Sequence, residues 1–79
     1  MTSSGEPHYS MVIEWSDEDQ AYIVTLPEWE AAGYIGHTHG ATVAEAAAAG
    51  EELLASWLDF IKQTGEPLPA PRTFASAPA

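Results

Sequence analysis

The segment His39–Ala46 marks the point where an extended chain becomes a helix, and it constrains the fold more than any other part of the sequence. Gly40 suits a sharp exit from a strand, because glycine tolerates backbone angles that are closed to other residues. The Thr42 hydroxyl can accept a hydrogen bond from the first helical turn, and the Glu45 side chain can reach back to Thr42. This capping box predicts a helix with Thr42 at its N-cap.

A long amphipathic helix is predicted to follow the cap. Apolar and small residues recur there at three- and four-residue steps: Val43, Ala46, Ala47, Gly50, Leu53, Leu54, Trp57, Leu58 and Ile61. The small residues fall in the first half, so that half can lie close against a sheet, and Gly50 removes even a methyl group from the contact. Gly65 followed by Pro67 predicts the end of the helix.

Three strands are predicted before the helix. Residues 9–15 alternate between apolar and polar side chains, and residues 21–26 form a second strand of the same kind. A four-residue polar turn at 17–20 joins them. Residues 28–32 are predicted to be a connection, and residues 34–39 a weaker third strand.

Together these elements predict an α+β fold in the order β-β-β-α-β. A three-stranded antiparallel meander carries one long helix on one face, and a short last strand at 72–74 returns beside the first. We expect a single domain over residues 9–74, between a flexible N-terminal segment at 1–8 and a flexible tail at 75–79. The second sheet face keeps apolar residues uncovered, which favours a protein interface.

The net charge of the chain limits the classes of molecule that it can bind. Twelve acidic residues stand against two basic ones, a net charge of −10. Such a chain repels phosphate backbones, so we expect no direct nucleic-acid binding; the acidity favours a basic protein partner or simply solubility. The absence of cysteine excludes disulfides and thiolate chemistry. No apolar stretch is long enough to cross a bilayer, and a cytoplasmic location is the default expectation.

Catalytic and metal-binding patterns are weak. His37 and His39 would share one strand face and could bind a metal together with His8 or a carboxylate, but surface or interface histidines are the favoured interpretation. The acidic group at 14–19 is interpreted as a solvated turn rather than a two-metal site. Serines and threonines lack a convincing base or a nucleophile elbow. We therefore predict no enzyme activity, no metal and no cofactor.

The three tryptophans are predicted to differ in role. Trp15 and Trp57 fit core faces of the first strand and of the helix. Trp29 stands between Glu28 and Glu30 in a predicted loop. It either folds back as a lid on the core or serves as an exposed aromatic anchor for a partner. Both alternatives remain open from the sequence.

Segments 9–15, 22–28, 38–46 and 65–71, taken in order, resemble the HicB family of type II antitoxins and its stand-alone relatives. The resemblance implies a partial RNase-H-like fold without catalytic work, which binds and blocks a small RNA-cleaving toxin of the HicA type and forms dimers or tetramers. Ala41 stands where the family often has an acidic residue. Many members also carry a C-terminal DNA-binding domain, for which this chain leaves no room, so we expect no operator binding.

The leading functional hypothesis is therefore an antitoxin, or an orphan relative, that occludes a basic toxin. Its expected contact surfaces are a sheet edge, the acidic hairpin with Asp17, Glu18 and Asp19, and the loop with Glu28, Trp29 and Glu30. The alternative is a stand-alone, self-associating structural or regulatory module without a toxin partner. An enzyme or metal-dependent nuclease has the least support.

Overall fold

The computed structural model describes residues 8–72. Its elements are β1 (Val12–Ser16), β2 (Ala21–Thr25), α1 (Pro27–Ala31), β3 (Thr38–Gly40) and α2 (Val43–Thr64). The strands form one antiparallel sheet in the order β1-β2-β3. The predicted α+β arrangement of a meander followed by a long helix is confirmed. The last strand was predicted at residues 72–74. Arg72 is not in a strand, and residues 73 and 74 lie outside the described residues.

The β1–β2 hairpin closes through a four-residue turn, as predicted. The Ser16 hydroxyl oxygen accepts a hydrogen bond from the Asp19 amide at 3.2 Å and donates to the Asp19 carboxylate at 3.2 Å. Gln20 completes the turn with φ of 52°, a left-handed conformation that returns the chain into β2. The Gln20 side chain donates to the carbonyl of Asp17 at 2.7 Å. These local hydrogen bonds stabilise the turn at the acidic tip of the hairpin.

The sheet has one covered and one more open face. In the β1–β2 register, Ile13 lies opposite Val24 and Trp15 opposite Tyr22. This face packs against α2, and Val24 is fully buried there. The opposite face carries Val12, whose side chain is exposed. Alternation along the strands therefore sorts the two faces as the sequence pattern predicts.

Two glycines let α2 approach the sheet closely. A Cβ atom on Gly40 would lie 2.3 Å from the backbone nitrogen of Ala46. A Cβ on Gly50 would lie 2.8 Å from the Cε of Met11 and 2.9 Å from a methyl of Val24. The predicted role of Gly50 is thus confirmed. The reason given for Gly40 was wrong: among residues 8–72 the glycines with positive φ are Gly33 and Gly65, and Gly40 is needed for space rather than for backbone angle.

The ends of α2 agree with the sequence prediction. The Thr42 hydroxyl accepts a hydrogen bond from the Glu45 amide at 3.1 Å. The Glu45 carboxylate reaches back to the amide of Ala41 at 3.2 Å, one residue earlier than expected. Gly65 ends the helix in the left-handed conformation, with φ of 76°. Neither described helix has the combination of length and apolar composition needed to cross a membrane.

The connection between β2 and β3 differs from the prediction. Residues 27–31 form the short helix α1, with Pro27 in its first turn, where the missing N–H is not needed. β3 spans three residues instead of the predicted six, because the segment at 34–37 does not pair with β2. The amide of Tyr34 donates to the carbonyl of Trp29 at 2.9 Å, which fastens that segment to α1.

Candidate partner-binding surface

Trp29 lies at the centre of the core. Its side chain is completely buried, and its ring centroid lies 5.2 Å from that of Tyr9, 5.0 Å from that of Tyr34 and 5.4 Å from that of Trp57. The lid alternative is therefore confirmed and the exposed-anchor alternative is wrong. The surrounding rings explain this burial, because aromatic pairs at such distances add to the energy of area burial. The Trp29 Nε1 atom has no hydrogen-bond partner among the described residues.

Glu28 is also buried, with 4% of its surface exposed, so its predicted role as a partner contact is wrong. Its carboxylate accepts hydrogen bonds from the backbone amides of Ser10 and Arg72, each at 3.0 Å, and from the Ser10 hydroxyl at 2.9 Å. Burial pushes the pKa of Glu28 upward, but these hydrogen bonds outweigh it and leave the pKa below its ordinary value. The side chain is thus a buried, charged structural anchor.

We call this arrangement the Glu28 clamp: one carboxylate joins the segment before β1 to the segment after α2. Nearby, the Tyr9 hydroxyl donates to the carbonyl of Pro69 at 2.7 Å, which fastens the same two segments a second time. Burial and the Glu28 charge raise the pKa of Tyr9. Sequence reasoning missed the clamp. The only signal in the sequence was that Glu28 stands between Pro27 and Trp29. This local pattern does not identify hydrogen-bond donors as distant in sequence as Ser10 and Arg72.

The other predicted contact residues are exposed. Asp17, Glu18 and Asp19 form the tip of the hairpin, and Glu30 lies on the outer side of α1. Ten of the twelve acidic side chains are exposed in residues 8–72; Glu28 is buried, and Glu6 lies outside the described residues. The exposed acids are Glu14, Asp17, Glu18, Asp19, Glu30, Glu45, Glu51, Glu52, Asp59 and Glu66. The described surface is therefore strongly negative.

Trp15 departs from its predicted core position, since 48% of its surface is exposed. Its ring packs edge-on against Tyr22 at 5.1 Å, and its Nε1 donates to the Asp17 carboxylate at 2.8 Å. The indole is therefore held in place at the border of the sheet. Trp57, by contrast, is half-buried and packs against the core, in agreement with the prediction.

We define the β1 border as strand β1 together with the hairpin tip at 17–19. Within residues 8–72, β1 has one sheet neighbour, β2, so its other side presents backbone donors and acceptors without a strand partner. The border combines these groups with the oriented Trp15 ring and the carboxylates of the tip. Such a combination is suited to binding a protein segment in an extended conformation.

His37 and His39 lie on the more open sheet side, beside a depression of about 340 Å³ that is also lined by Asp19, Ala21 and Ile23. Among the described residues, no three histidine or acidic side chains are close enough together to hold a metal ion. The structure thus brings both histidines near the hairpin tip.

Comparison of the chain with protein-family models, curated proteins and solved structures finds no match.

Proposed function

We propose that this protein is a HicB-like antitoxin, or an orphan relative, that binds and occludes a small basic RNA-cleaving toxin of the HicA type. The observation that carries the proposal is the β1 border: a strand side with no strand partner within residues 8–72, next to an oriented, half-exposed Trp15 and an acidic hairpin tip. The order of strands and helix, together with the sequence resemblance, supports the same assignment.

Electrostatics favours a basic partner. A protein that cleaves RNA must hold phosphates, and it does so with lysine and arginine side chains. A surface with ten exposed carboxylates attracts such a protein over several ångströms and raises the rate of association. The same carboxylates compete with RNA for the basic groups. Inhibition then follows from occupancy of the toxin's RNA-binding surface and requires no chemistry by this chain.

The strand side of β1 supplies specificity. An extended segment of the toxin can add to the sheet through backbone hydrogen bonds, while its alternate side chains meet Trp15 on one face and Val12 on the other. Half-exposed tryptophans at the centre of an interface often dominate its binding energy. We therefore expect Trp15→Ala to weaken the complex by about 2 kcal/mol or more, roughly 30-fold in Kd.

The experiment mixes the purified protein with the product of a neighbouring gene that encodes a small basic protein. Size-exclusion chromatography should show a stable complex, and RNA cleavage by the toxin should fall to background at stoichiometric addition. Glu18→Lys should slow association more than the matched charge reversal Glu51→Lys, because Glu18 belongs to the hairpin tip and Glu51 to α2. Undiminished cleavage without a complex would reject the proposal.

A second candidate is a self-associating module in which β1 of one copy pairs with β1 of another. The side of β1 that has no strand neighbour in the described part of the chain favours it, whereas a net charge of −10 on each copy opposes it. The two candidates differ in their response to salt. Self-association should strengthen as salt screens the like charges, while binding of a basic toxin should weaken. Light scattering of the protein alone at low and high salt distinguishes them.

A further inference from the structure

We propose that the depression beside the hairpin tip is a binding site for an arginine side chain of the partner protein. The depression is lined by Asp19, Ala21, Ile23, His37 and His39, and we call it the histidine notch. This inference deepens the proposed function and rests on it, because the arginine belongs to the basic partner. It gives a binding role to His37 and His39, which are not part of the β1 border.

The notch joins two distant parts of the chain. Ile23 lies directly opposite His39 in the β2–β3 ladder, and Ala21, two residues earlier in β2, lies on the same side of the strand. Ala21 is buried and Ile23 half-buried, so together they form an apolar floor. Asp19 comes from the turn before β2. The notch therefore has an apolar base, two imidazoles and one carboxylate.

Asp19 is held in an orientation that leaves acceptor capacity. Its Oδ2 atom accepts from the Ser16 hydroxyl at 3.2 Å, and its amide donates to the same hydroxyl oxygen at 3.2 Å. The Oδ1 atom takes part in none of the hydrogen bonds found among residues 8–72. A carboxylate that is positioned by its own turn can bind a cationic donor without first losing side-chain freedom.

The dimensions of the notch favour a guanidinium over a metal ion. Its volume of about 340 Å³ is roughly ten times that of a water molecule in the liquid, and its three polar side chains do not converge closely enough to hold one ion. Arginine spans such a space: its planar head donates to a carboxylate, stacks on flat rings, and carries an aliphatic stem that can cover Ile23. A lysine ammonium is a point charge and lacks the stacking.

The test is an NMR titration of the full chain with N-acetyl-arginine amide, observing the imidazole signals of His37 and His39 and the methyl groups of Ile23. The neutral citrulline analogue and the lysine analogue are titrated in parallel. We expect saturable shifts at these residues with arginine, weaker shifts with lysine and none with citrulline. Asp19→Asn should weaken arginine binding about tenfold, whereas Glu51→Gln, which removes an equal charge from the exposed side of α2, should not.

Three results would overturn the proposal. The first is an absence of saturable shifts with arginine, or equal shifts with citrulline. The second is an equal loss of binding in Asp19→Asn and Glu51→Gln, which would indicate general attraction by the acidic surface. The third is tight, saturable binding of Zn²⁺ by both histidines, which would assign a metal site instead. No toxin is present in the titration, so its failure is separable from failure of the proposed function.

Discussion

Replacement of Glu28 by glutamine is the sharpest perturbation of this fold, because it keeps the shape of the side chain and removes its charge. Both carboxylate oxygens lie 3.0 Å from the Ser10 amide, and one of them also accepts from the Arg72 amide at 3.0 Å and the Ser10 hydroxyl at 2.9 Å. A glutamine offers one oxygen and one NH₂ group. In either orientation, its NH₂ therefore faces the N–H of Ser10.

The expected loss follows from these contacts. A buried N–H that faces another donor costs about 1–3 kcal/mol, and the remaining hydrogen bonds lose the contribution of the charge, for a total of about 2–4 kcal/mol. A domain of this length has a free energy of unfolding of roughly 4–12 kcal/mol. Glu28→Gln should thus remove a large share of the stability, and it should loosen the segments before β1 and after α2 first.

The assay is urea unfolding followed by tryptophan fluorescence at pH 7 and at a series of lower pH values. The pKa of Glu28 is lower in the folded protein than its ordinary value, so the unfolded state binds more protons in the acid range. The contribution of the clamp is therefore complete above about pH 4.3 and is lost as the pH falls through the folded pKa. The difference between the wild type and Glu28→Gln should be largest at pH 7 and should narrow in acid.

Glu30→Gln is the matched control, since Glu30 lies in the same short helix but is exposed. We expect it to change the free energy of unfolding by less than about 0.5 kcal/mol. The reasoning would be refuted if Glu28→Gln matched this control at pH 7. It would equally be refuted if the difference between wild type and variant did not change with pH.

Five further substitutions test the fold. Gly40→Ala should lower the free energy of unfolding by about 3 kcal/mol or more, because its Cβ would meet the helix backbone at Ala46 rather than a mobile side chain; chemical denaturation measures this. Thr42→Ala should cost about 1 kcal/mol through loss of the N-cap, and Thr42→Ser should restore most of it in the same assay. Trp29→Ala should cost about 3–5 kcal/mol, whereas Trp15→Ala, at a half-exposed site, should cost far less, as thermal melts would reveal.

The parts of the fold that depend on neighbouring residues could be predicted from the sequence. The hairpin turn at 17–20 and the cap at Thr42 are set within a few residues, so composition and spacing are enough to find them. The apolar period of α2 is similarly local. These features gave the correct order of the three strands and the long helix, but not the short helix α1.

The features that the sequence did not reveal depend on distant contacts. Glu28 finds its hydrogen-bond donors 18 and 44 residues away, and no local pattern encodes such a meeting. Trp29 is buried because three other rings converge on it. Trp15 is half-exposed because β1 lies at the border of the sheet, although the strand alternates like a buried one. The candidate surface therefore shifted from the loop around Trp29 to the β1 border.

The most direct test of the β1 border as the toxin-binding surface is amide hydrogen exchange of the chain, free and bound to its toxin. We expect new protection in residues 12–16, where β1 has a strand neighbour on one side only within residues 8–72, and in the hairpin turn at 17–20. We expect unchanged exchange in α2, whose amides are already bonded within the helix. Protection of the segments at 27–34 without any change in β1 would contradict the account.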